Sequence, residues 1–156
     1  MIVRCPAASD RDVVRETLTR CGAFISEEIR VAIEMFDAGL AGDYSLLGVE
    51  DGGVLRAYAC FGKASLTRGS WYLYWFCVDP AVQGTGIGQM LQRSVEECVR
   101  RLGGERLVLE TSGRSDYERP RRFYERAGFI VHGRIPDFYK PGDDCIIYCK
   151  KLGAAP

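Results

Sequence analysis

The sequence predicts a mixed α/β (α+β) fold: a central, mostly antiparallel sheet of about six to seven strands, flanked by about four helices. The order of the elements is the first reason, because a strand and two helices precede three consecutive strands, and helix and strand then alternate to the end. A strong hairpin signal, Asp51-Gly52-Gly53, is the second. The third is the nearly uninterrupted apolar run at 71–78, which we expect to be a central strand buried on both faces.

The first half of the chain is expected to hold a short strand, two helices and the hairpin. The strand is predicted at residues 1–5, and the helices at 9–22 and 26–39, each ending at a glycine. The hairpin strands are predicted at residues 44–49 and 54–61, on either side of the Gly-rich turn.

The second half begins with an amphipathic helix after the apolar run. Its expected buried stripe is formed by Ile87, Leu91, Cys98 and Leu102, and the helix is expected to end at Gly103.

The remaining elements are shorter. A strand at 105–111, a helix near 117–127 and strands near 129–135 and 144–150 complete the chain, and the span 137–143 is expected to be a loop. We find no linker, repeat or low-complexity segment, so residues 1–156 are predicted to form a single domain.

Composition excludes several classes of protein. Lys plus Arg and Asp plus Glu both number 21, and this zero net charge argues against a nucleic-acid or anionic-membrane partner. The seven cysteines include no C-x-x-C pair and the only histidine is His132, so we expect no metal site and reduced thiols. No apolar run is long enough for a signal peptide or a membrane span, which predicts a soluble, cytoplasmic protein. The sequence leaves a homodimer open.

A Gly-rich stretch, residues 78–88, lies between the apolar strand and the amphipathic helix. Glycines let the backbone approach a ligand, and the first N–H groups of a helix attract anions, so this junction predicts a phosphate cradle. The dinucleotide fingerprint G-x-G-x-x-G does not fit the glycine spacing. A P-loop does not fit either, because no Gly-Lys-Ser or Gly-Lys-Thr follows.

What does fit is Gln83-x-x-Gly86-x-Gly88, which resembles the pyrophosphate-binding signature R/Q-x-x-G-x-G/A of the GNAT N-acetyltransferase superfamily. The segment Arg122-Phe123-Tyr124-Glu125-Arg126-Ala127-Gly128-Phe129 resembles the same family's later helix and its closing turn. The two motifs occur in family order and at family spacing. The resemblance is strong over about residues 71–135 and general elsewhere.

The resemblance implies acetyl-CoA as cosubstrate and a sheet splayed at the cofactor site. It implies that the main chain of Cys77 and Val78 contacts the pantetheine arm, with a backbone N–H near Val78 as oxyanion donor. The expected contacts of the pyrophosphate loop are Gln83, Gly84, Thr85, Gly86, Ile87 and Gly88. Phe123 and Tyr117 are the further expected cofactor contacts, although Tyr117 stands where the family commonly has an asparagine.

Tyr124 matches the family's usual general acid, and a phenol of ordinary pKa, about 10, can protonate a departing thiolate at neutral pH. The alternative is that Tyr124 is a packing residue. Glu110, near the end of its strand, is the best-placed carboxylate for a general base. It can equally be a solvated strand-end acid, with the amine deprotonated through water or before binding. Five arginines between residues 114 and 126 either attract CoA phosphates or form a solvated helix face.

We therefore predict an N-acetyltransferase that moves the acetyl group of acetyl-CoA to a primary amine, by direct attack in a ternary complex. Segments 20–45 and 136–144 are expected to shape the acceptor pocket; their aromatic and acidic residues suit a small cationic amine. A protein N-terminal or lysine acetyltransferase is the alternative within this enzyme class. A non-catalytic CoA-binding regulatory module is the alternative outside it. Cys77 is expected to be a packing residue and not a nucleophile.

Overall fold

Seven strands and four α-helices make up residues 1–153, the part of the chain described by the computed structural model. The strands are β1 (Ile2–Arg4), β2 (Ser45–Asp51), β3 (Val54–Lys63), β4 (Ser70–Val78), β5 (Arg106–Ser112), β6 (Ile130–Lys140) and β7 (Asp143–Lys151). The helices are α1 (Arg11–Cys21), α2 (Ser26–Ala41), α3 (Ile87–Arg101) and α4 (Glu118–Arg126). The predicted element order and numbers are confirmed.

The strands form one mixed sheet in the order β1-β2-β3-β4-β5-β7-β6. β1 pairs with β2, β2 with β3, β5 with β7 and β6 with β7 in antiparallel fashion, whereas β4 and β5 are parallel. The predicted mixed, mostly antiparallel sheet is confirmed, and β4 is its central strand.

The described residues divide into two compact units. The first comprises residues 1–62 and 73–98, and the second comprises residues 63–72 together with Val99 and the residues after it. The first unit has a core of buried side chains from α1, α2 and the strands, in which Phe36 and Tyr58 meet edge to face at 5.7 Å. Phe36 belongs to segment 20–45, which is expected to shape the acceptor pocket, but its ring is fully buried in this core and cannot line a pocket.

The two N-terminal helices differ in how they use glycine. α1 ends, as predicted, at Gly22, which has the left-handed φ of +66° that favours glycine after a helix. α2 continues past Gly39 and ends at Gly42, with φ of +102°. Gly39 keeps a helical backbone because it is a packing position: a Cβ there would lie 2.7 Å from the Leu46 side chain. The prediction that Gly39 ends the helix is therefore wrong.

The ladder between β4 and β5 is short. It pairs residues 70–72 with residues 106–108, although β4 continues to Val78 and β5 to Ser112.

The prediction that β4 is buried on both faces is only partly confirmed. Trp71, Leu73 and Cys77 are buried, but Tyr74 is 41% exposed and the two residues after it are half-buried. The physical reason is that side chains cover this part of the strand incompletely. Tyr74 is covered edge-on by the ring of Tyr44 at 5.3 Å and remains accessible on its other sides.

The buried stripe of α3 also differs from the prediction. Ile87, Leu91, Val95 and Val99 are buried at a constant spacing of four residues. Leu102 is 57% exposed because the helix has already ended at Arg101. The prediction omitted Val95 and Val99, which are the buried residues of the second half of the helix.

The span 137–143 is not a free loop. β6 runs to Lys140 and a tight turn at Pro141 and Gly142 joins it to β7. The pairing is irregular between Ile135 and Lys140, and Asp137 has a left-handed φ of +52°. This irregular strand end explains why the sequence pattern resembles a loop.

Two further observations concern the chain as a whole. All seven cysteines are free thiols. Within residues 1–153, no helix is both long and apolar enough to cross a membrane, and no group of three or more His, Cys, Asp or Glu side chains is arranged to hold a metal ion.

Candidate active site

The Gly-rich segment forms an open loop at the N-terminus of α3. After β4, a 3-10 turn at Pro80–Val82 leads into the loop, where Gly84 and Gly86 have φ of +85° and +93°. An added Cβ would meet no atom within 4 Å at either glycine, and residues 84–86 are exposed. The glycines therefore serve backbone conformation and access, and not internal packing.

The first turn of α3 gives this loop its electrostatic character. The N–H of Met90 donates to the Gly86 carbonyl at 3.0 Å, which makes Gly86 the residue where the helix begins. The N–H groups of the first turn have no acceptor within the helix and carry the positive end of its dipole. The Ile87 side chain is 1% exposed and packs in the core, so this predicted contact can offer a ligand only its backbone.

Gln83 uses its side chain inside the protein. Its amide Nε2 donates to the Val78 carbonyl at 3.2 Å, and the Thr85 hydroxyl donates to the Val82 carbonyl at 2.7 Å. Both contacts tie the loop to the end of β4 and to the turn that follows. The Val78 carbonyl is part of the main chain that was expected to contact the pantetheine arm. It therefore already accepts a hydrogen bond from within the protein.

The thiol of Cys77 lies in the core. The residue is 5% exposed, and burial raises the pKa of its thiol well above the ordinary value. A thiol that stays protonated is a poor nucleophile, which favours the predicted packing role.

Tyr124 lies half-buried on α4 within a group of aromatic rings. Phe123 lies 5.5 Å away, Phe129 5.7 Å away and Tyr148 6.3 Å away, measured between ring centroids. This packing restricts the orientation of the Tyr124 ring. Phe123, an expected cofactor contact, is also half-buried and is one of the rings that position Tyr124.

Two residues of β7 fix α4 in place, and sequence reasoning missed both. The Tyr148 hydroxyl donates to Glu125 at 2.8 Å, and Lys150 Nζ donates to the Ala127 carbonyl at 2.6 Å, at the end of the helix. Burial, and then the hydrogen bond to Glu125, raise the pKa of Tyr148 to about 12. No motif marks these residues; only the pairing of β7 in the sheet brings them to the helix.

The segment between β5 and α4 is held by arginines. Arg121 Nη1 donates to the carbonyls of Ser112 and Arg114, both at 2.7 Å. Arg114 forms an ion pair with Asp116 and stacks over the Tyr117 ring at 5.7 Å. Two of the five arginines considered for CoA phosphates are thus engaged in fixing this segment.

Glu110 is exposed on β5, opposite Ile147 of β7. Tyr139 lies near Glu110. Burial raises the pKa of Tyr139, and so do the contact with Cys145 and then the negative charge of Glu110. The Tyr139 hydroxyl lies 3.8 Å from the Cys145 sulfur and its ring meets Phe138 edge to face at 5.0 Å. Glu110 is therefore accessible to a substrate, with an aromatic neighbour.

A second aromatic group lies in the first unit. Phe24 and Trp75 meet edge to face at 5.6 Å, and Trp75 Nε1 donates to the Met35 sulfur at 3.1 Å. These side chains are half-buried, so part of each faces solvent.

The predicted site residues thus form two groups. Cys77, Val78 and residues 83–88 come together in the first unit. Glu110, Tyr117, Phe123 and Tyr124 belong to the second unit. A residue that sequence reasoning missed in the first group is Asp79, whose carboxylate is buried at the entry to the loop. Its position between a buried strand and a proline was the available signal.

Comparison with known proteins gives a consistent result. The family model for the acetyltransferase (GNAT) family matches residues 12–129. A structure from Desulfovibrio desulfuricans, assigned to the GNAT family, superposes with a TM-score of 0.92 at 37% identity, covering 97% of this chain and 99% of that one.

Two further matches are more distant, one in structure and one in sequence. The yncA protein of Salmonella typhimurium, solved with its cofactor acetyl-CoA, has a TM-score of 0.78 at 23% identity over 100% of this chain and 97% of that one. N-alpha-acetyltransferase 30 of Schizosaccharomyces pombe is 27% identical over 109 residues, 68% of this chain and 70% of its own length.

Proposed function

Because this chain belongs to the acetyltransferase (GNAT) family, whose members are acyltransferases that use acetyl-CoA, we propose that it acetylates a primary amine of a small molecule by direct attack within a ternary complex. The observation that carries this proposal is the Gly84–Gly86 loop at the start of α3. Its positive φ angles and open Cβ positions leave the backbone accessible to an anion.

The loop suits a pyrophosphate in both shape and charge. A side chain at Gly84 or Gly86 would project into the open space in front of the amides, and the helix N-terminus favours negative charge there. Gln83 and Thr85 direct their side chains to backbone carbonyls of the same segment. The N–H groups of Gln83 and Thr85 already donate to the carbonyls of Pro80 and Val82, both at 3.4 Å. The backbone amides of Gly84 and residues 86–88 are therefore the groups assigned to the pyrophosphate.

Bound acetyl-CoA would supply the acetyl group as a thioester. In the reaction, the amine nitrogen forms a bond to the acetyl carbon, and the bond from that carbon to sulfur breaks. Tyr124 is assigned the role of general acid that gives its phenolic proton to the departing sulfur. The rings around Tyr124 and the fixing of α4 by Tyr148 support this assignment because they restrict where the hydroxyl points.

The amine must also lose a proton. Glu110 is the candidate acceptor of that proton, directly or through water, because it is an exposed carboxylate on β5. An amine that arrives neutral needs no protein base, and Glu110 would then be a solvated strand residue. The backbone N–H near Val78 keeps its assignment as donor to the acetyl oxygen.

Exposed aromatic rings support a small cationic acceptor. The half-exposed rings of Phe24 and Trp75 in one unit, and of Phe138 and Tyr139 in the other, are surfaces on which an amine-bearing molecule can pack. A protein N-terminal amine is the second candidate, because the Schizosaccharomyces pombe relative is an N-alpha-acetyltransferase. A CoA-binding module without catalysis is the third, and the presence of Tyr124 argues against it.

The test is an acceptor panel monitored by release of free thiol. It should contain small polyamines and amino acids, short peptides with a free α-amine, and the same peptides with a blocked N-terminus and an internal lysine. Turnover with small amines above that with peptides supports the proposal. Peptide-only turnover supports the N-terminal or lysine alternative, and CoA binding without turnover on any acceptor supports the regulatory module.

The Tyr124→Phe variant is the matched control for this panel. It retains the ring and its packing but lacks the hydroxyl, so thiol release that depends on enzymatic transfer should fall while background hydrolysis does not.

A further inference from the structure

The buried carboxylate of Asp79 is the centre of an ion cluster at the entry to the Gly-rich loop, with two partly exposed arginines as its partners. The residue is 1% exposed. Its Oδ2 accepts from Arg56 Nη1 at 2.9 Å and from Arg20 Nη2 at 3.3 Å. We call Asp79, Arg20 and Arg56 the Asp79 cluster.

The cluster holds Asp79 as an ionised carboxylate. Burial opposes the charged form, but the Ala81 N–H, Arg56 and Arg20 together keep the pKa of Asp79 below its ordinary value. A buried charge is tolerated in a protein only when it is paired and hydrogen-bonded in this way. Removing the charge alone therefore leaves two guanidinium groups without their shared partner.

The polar groups of Asp79 together connect three parts of the first unit: β3, α1 and the 3-10 turn. Its N–H donates to the Arg56 carbonyl on β3 at 2.8 Å, and its carbonyl accepts from the Val82 N–H at 2.9 Å. Its Oδ1 accepts from the Ala81 N–H at 3.1 Å, which caps the 3-10 turn. Arg20 lies in the last turn of α1. Asp79 thus ties α1 and β3 to the turn that leads directly into Gln83.

The next contact along the chain continues this anchoring. The side-chain amide of Gln83 donates a hydrogen bond to the carbonyl of Val78, the residue before Asp79, at 3.2 Å. The segment from Val78 to Gln83 is therefore closed on itself, and the glycines that follow begin from a fixed position. An anion site made of backbone amides is tight only when those amides are ordered before the ligand arrives.

We propose that Asp79 is a positioning residue for the cofactor: its carboxylate, held between Arg56 and Arg20, orders the Pro80–Val82 turn and so preorganises the amides of Gly84 and residues 86–88 for the pyrophosphate. This inference rests on the proposed function of the loop. It concerns binding and not chemistry, since Asp79 has no role in moving a proton or in contacting the acetyl group.

The test separates the charge of Asp79 from its capping contact. Asp79→Asn can keep an oxygen for the Ala81 N–H but removes the charge, whereas Asp79→Ala removes both. Arg56→Met leaves Asp79 intact and removes its closer guanidinium, and serves as the second probe if either Asp79 variant fails to fold. Arg56→Lys retains a cation and should restore part of the affinity that Arg56→Met loses.

The matched control is Arg11→Met. Arg11 also lies on α1 and forms a two-point ion pair with Asp37, at 2.8 Å for each contact, but this pair has no connection to the loop. Its loss should leave cofactor affinity unchanged.

Coenzyme A binding is measured by calorimetry, and KM for acetyl-CoA and kcat by thiol release, at a temperature where every variant is folded. Loss of charge-assisted hydrogen bonds predicts a Kd for coenzyme A raised about tenfold in Asp79→Asn and Arg56→Met, and more in Asp79→Ala. The KM for acetyl-CoA should rise in parallel while kcat at saturating acetyl-CoA stays near that of the wild type. A residue that only stabilised the fold would not raise Kd and KM while leaving kcat unchanged.

A folded Asp79→Asn protein with wild-type Kd and KM would overturn the inference. So would a loss confined to kcat. Failure of the proposed function has a different signature, because the wild-type protein would then bind coenzyme A but acetylate no small amine in the acceptor panel.

Discussion

The side-chain amide of Gln83 donates a hydrogen bond to the main-chain carbonyl of Val78, across a distance of 3.2 Å. This contact assigns a physical role to the first residue of the Gln-x-x-Gly-x-Gly pattern. Gln83 closes the loop on the end of β4 and holds it there, so its side chain orders the amides that follow it.

Replacing Gln83 with Met should weaken cofactor binding moderately. The variant retains the length and most of the packing of the side chain but cannot donate to Val78, and one net hydrogen bond corresponds to about a fivefold change in Kd. Calorimetry with coenzyme A measures the effect. Gln89→Met, at an exposed position of α3, is the control. Equal affinity in both variants would mean that the loop does not need this contact.

Introducing Asp at Gly86 should abolish cofactor binding. The position has φ of +93°, and its Cβ direction is open, so the new carboxylate would stand where the pyrophosphate is expected. Gly88→Asp should act in the same way. Gly103→Asp is the control, because Gly103 also has a positive φ and open surroundings but follows the end of α3. Near-normal affinity in a folded Gly86→Asp protein would contradict the assignment of this loop to the cofactor.

Removing the Tyr124 hydroxyl should lower turnover and leave cofactor affinity almost unchanged. The Tyr124→Phe change keeps the ring contacts with Phe129 and Tyr148, and a general acid typically contributes about a hundredfold or more. Single-turnover thiol release measures the chemical step. An unchanged rate, where chemistry limits turnover, would make Tyr124 a packing residue.

The role of Glu110 can be tested by pH dependence. If Glu110 accepts the proton of the amine, Glu110→Gln should lower turnover most at neutral pH and recover part of the loss at alkaline pH, where more of the amine is neutral. Glu97→Gln, on α3, controls for the loss of a carboxylate elsewhere. A pH–rate profile that superimposes on the wild-type profile would exclude Glu110 from the mechanism.

Stability should fall at alkaline pH because phenols and thiols are buried in their neutral forms. Burial and the bond to Glu125 raise the pKa of Tyr148 from 10.0 to about 12, and burial raises that of Cys60 from 9.0 to about 12. A group whose pKa is raised on folding contributes its full stabilisation when the pH is below its pKa in the unfolded chain. This contribution is lost as the pH rises towards its pKa in the folded protein.

For Tyr148 the window is therefore about pH 10 to 12, and the free energy of unfolding lost across it is about 2–3 kcal/mol. Urea unfolding under reducing conditions at pH 7, 9, 10 and 11 measures the slope. The Tyr148→Phe variant should have a smaller free energy of unfolding than the wild type at pH 7, but should lose less of it above pH 10. A free energy of unfolding that does not change up to pH 11 would contradict the prediction.

The sequence predicted most of the fold because its signals are local. The Asp51-Gly52-Gly53 turn, the apolar run at 71–78 and the glycine at the end of α1 each specify a backbone geometry within a few residues. Predictions failed where packing overrides local preference. The absence of a Cβ at Gly39 serves packing against Leu46 and not a helix end, and α3 buries Val95 and Val99 where the prediction had placed Cys98 and Leu102.

The sequence by itself determined the family and the position of the Gly-rich loop before α3, and it predicted Tyr124 as the general acid, because each depends on spacing along one short segment. Only the tertiary structure decided what holds these groups. Asp79 meets Arg20 and Arg56 from 59 and 23 positions away, and Tyr148 reaches Glu125 from 23 positions away. Such partners carry no local pattern, since their proximity results from strand pairing and helix packing of the whole chain.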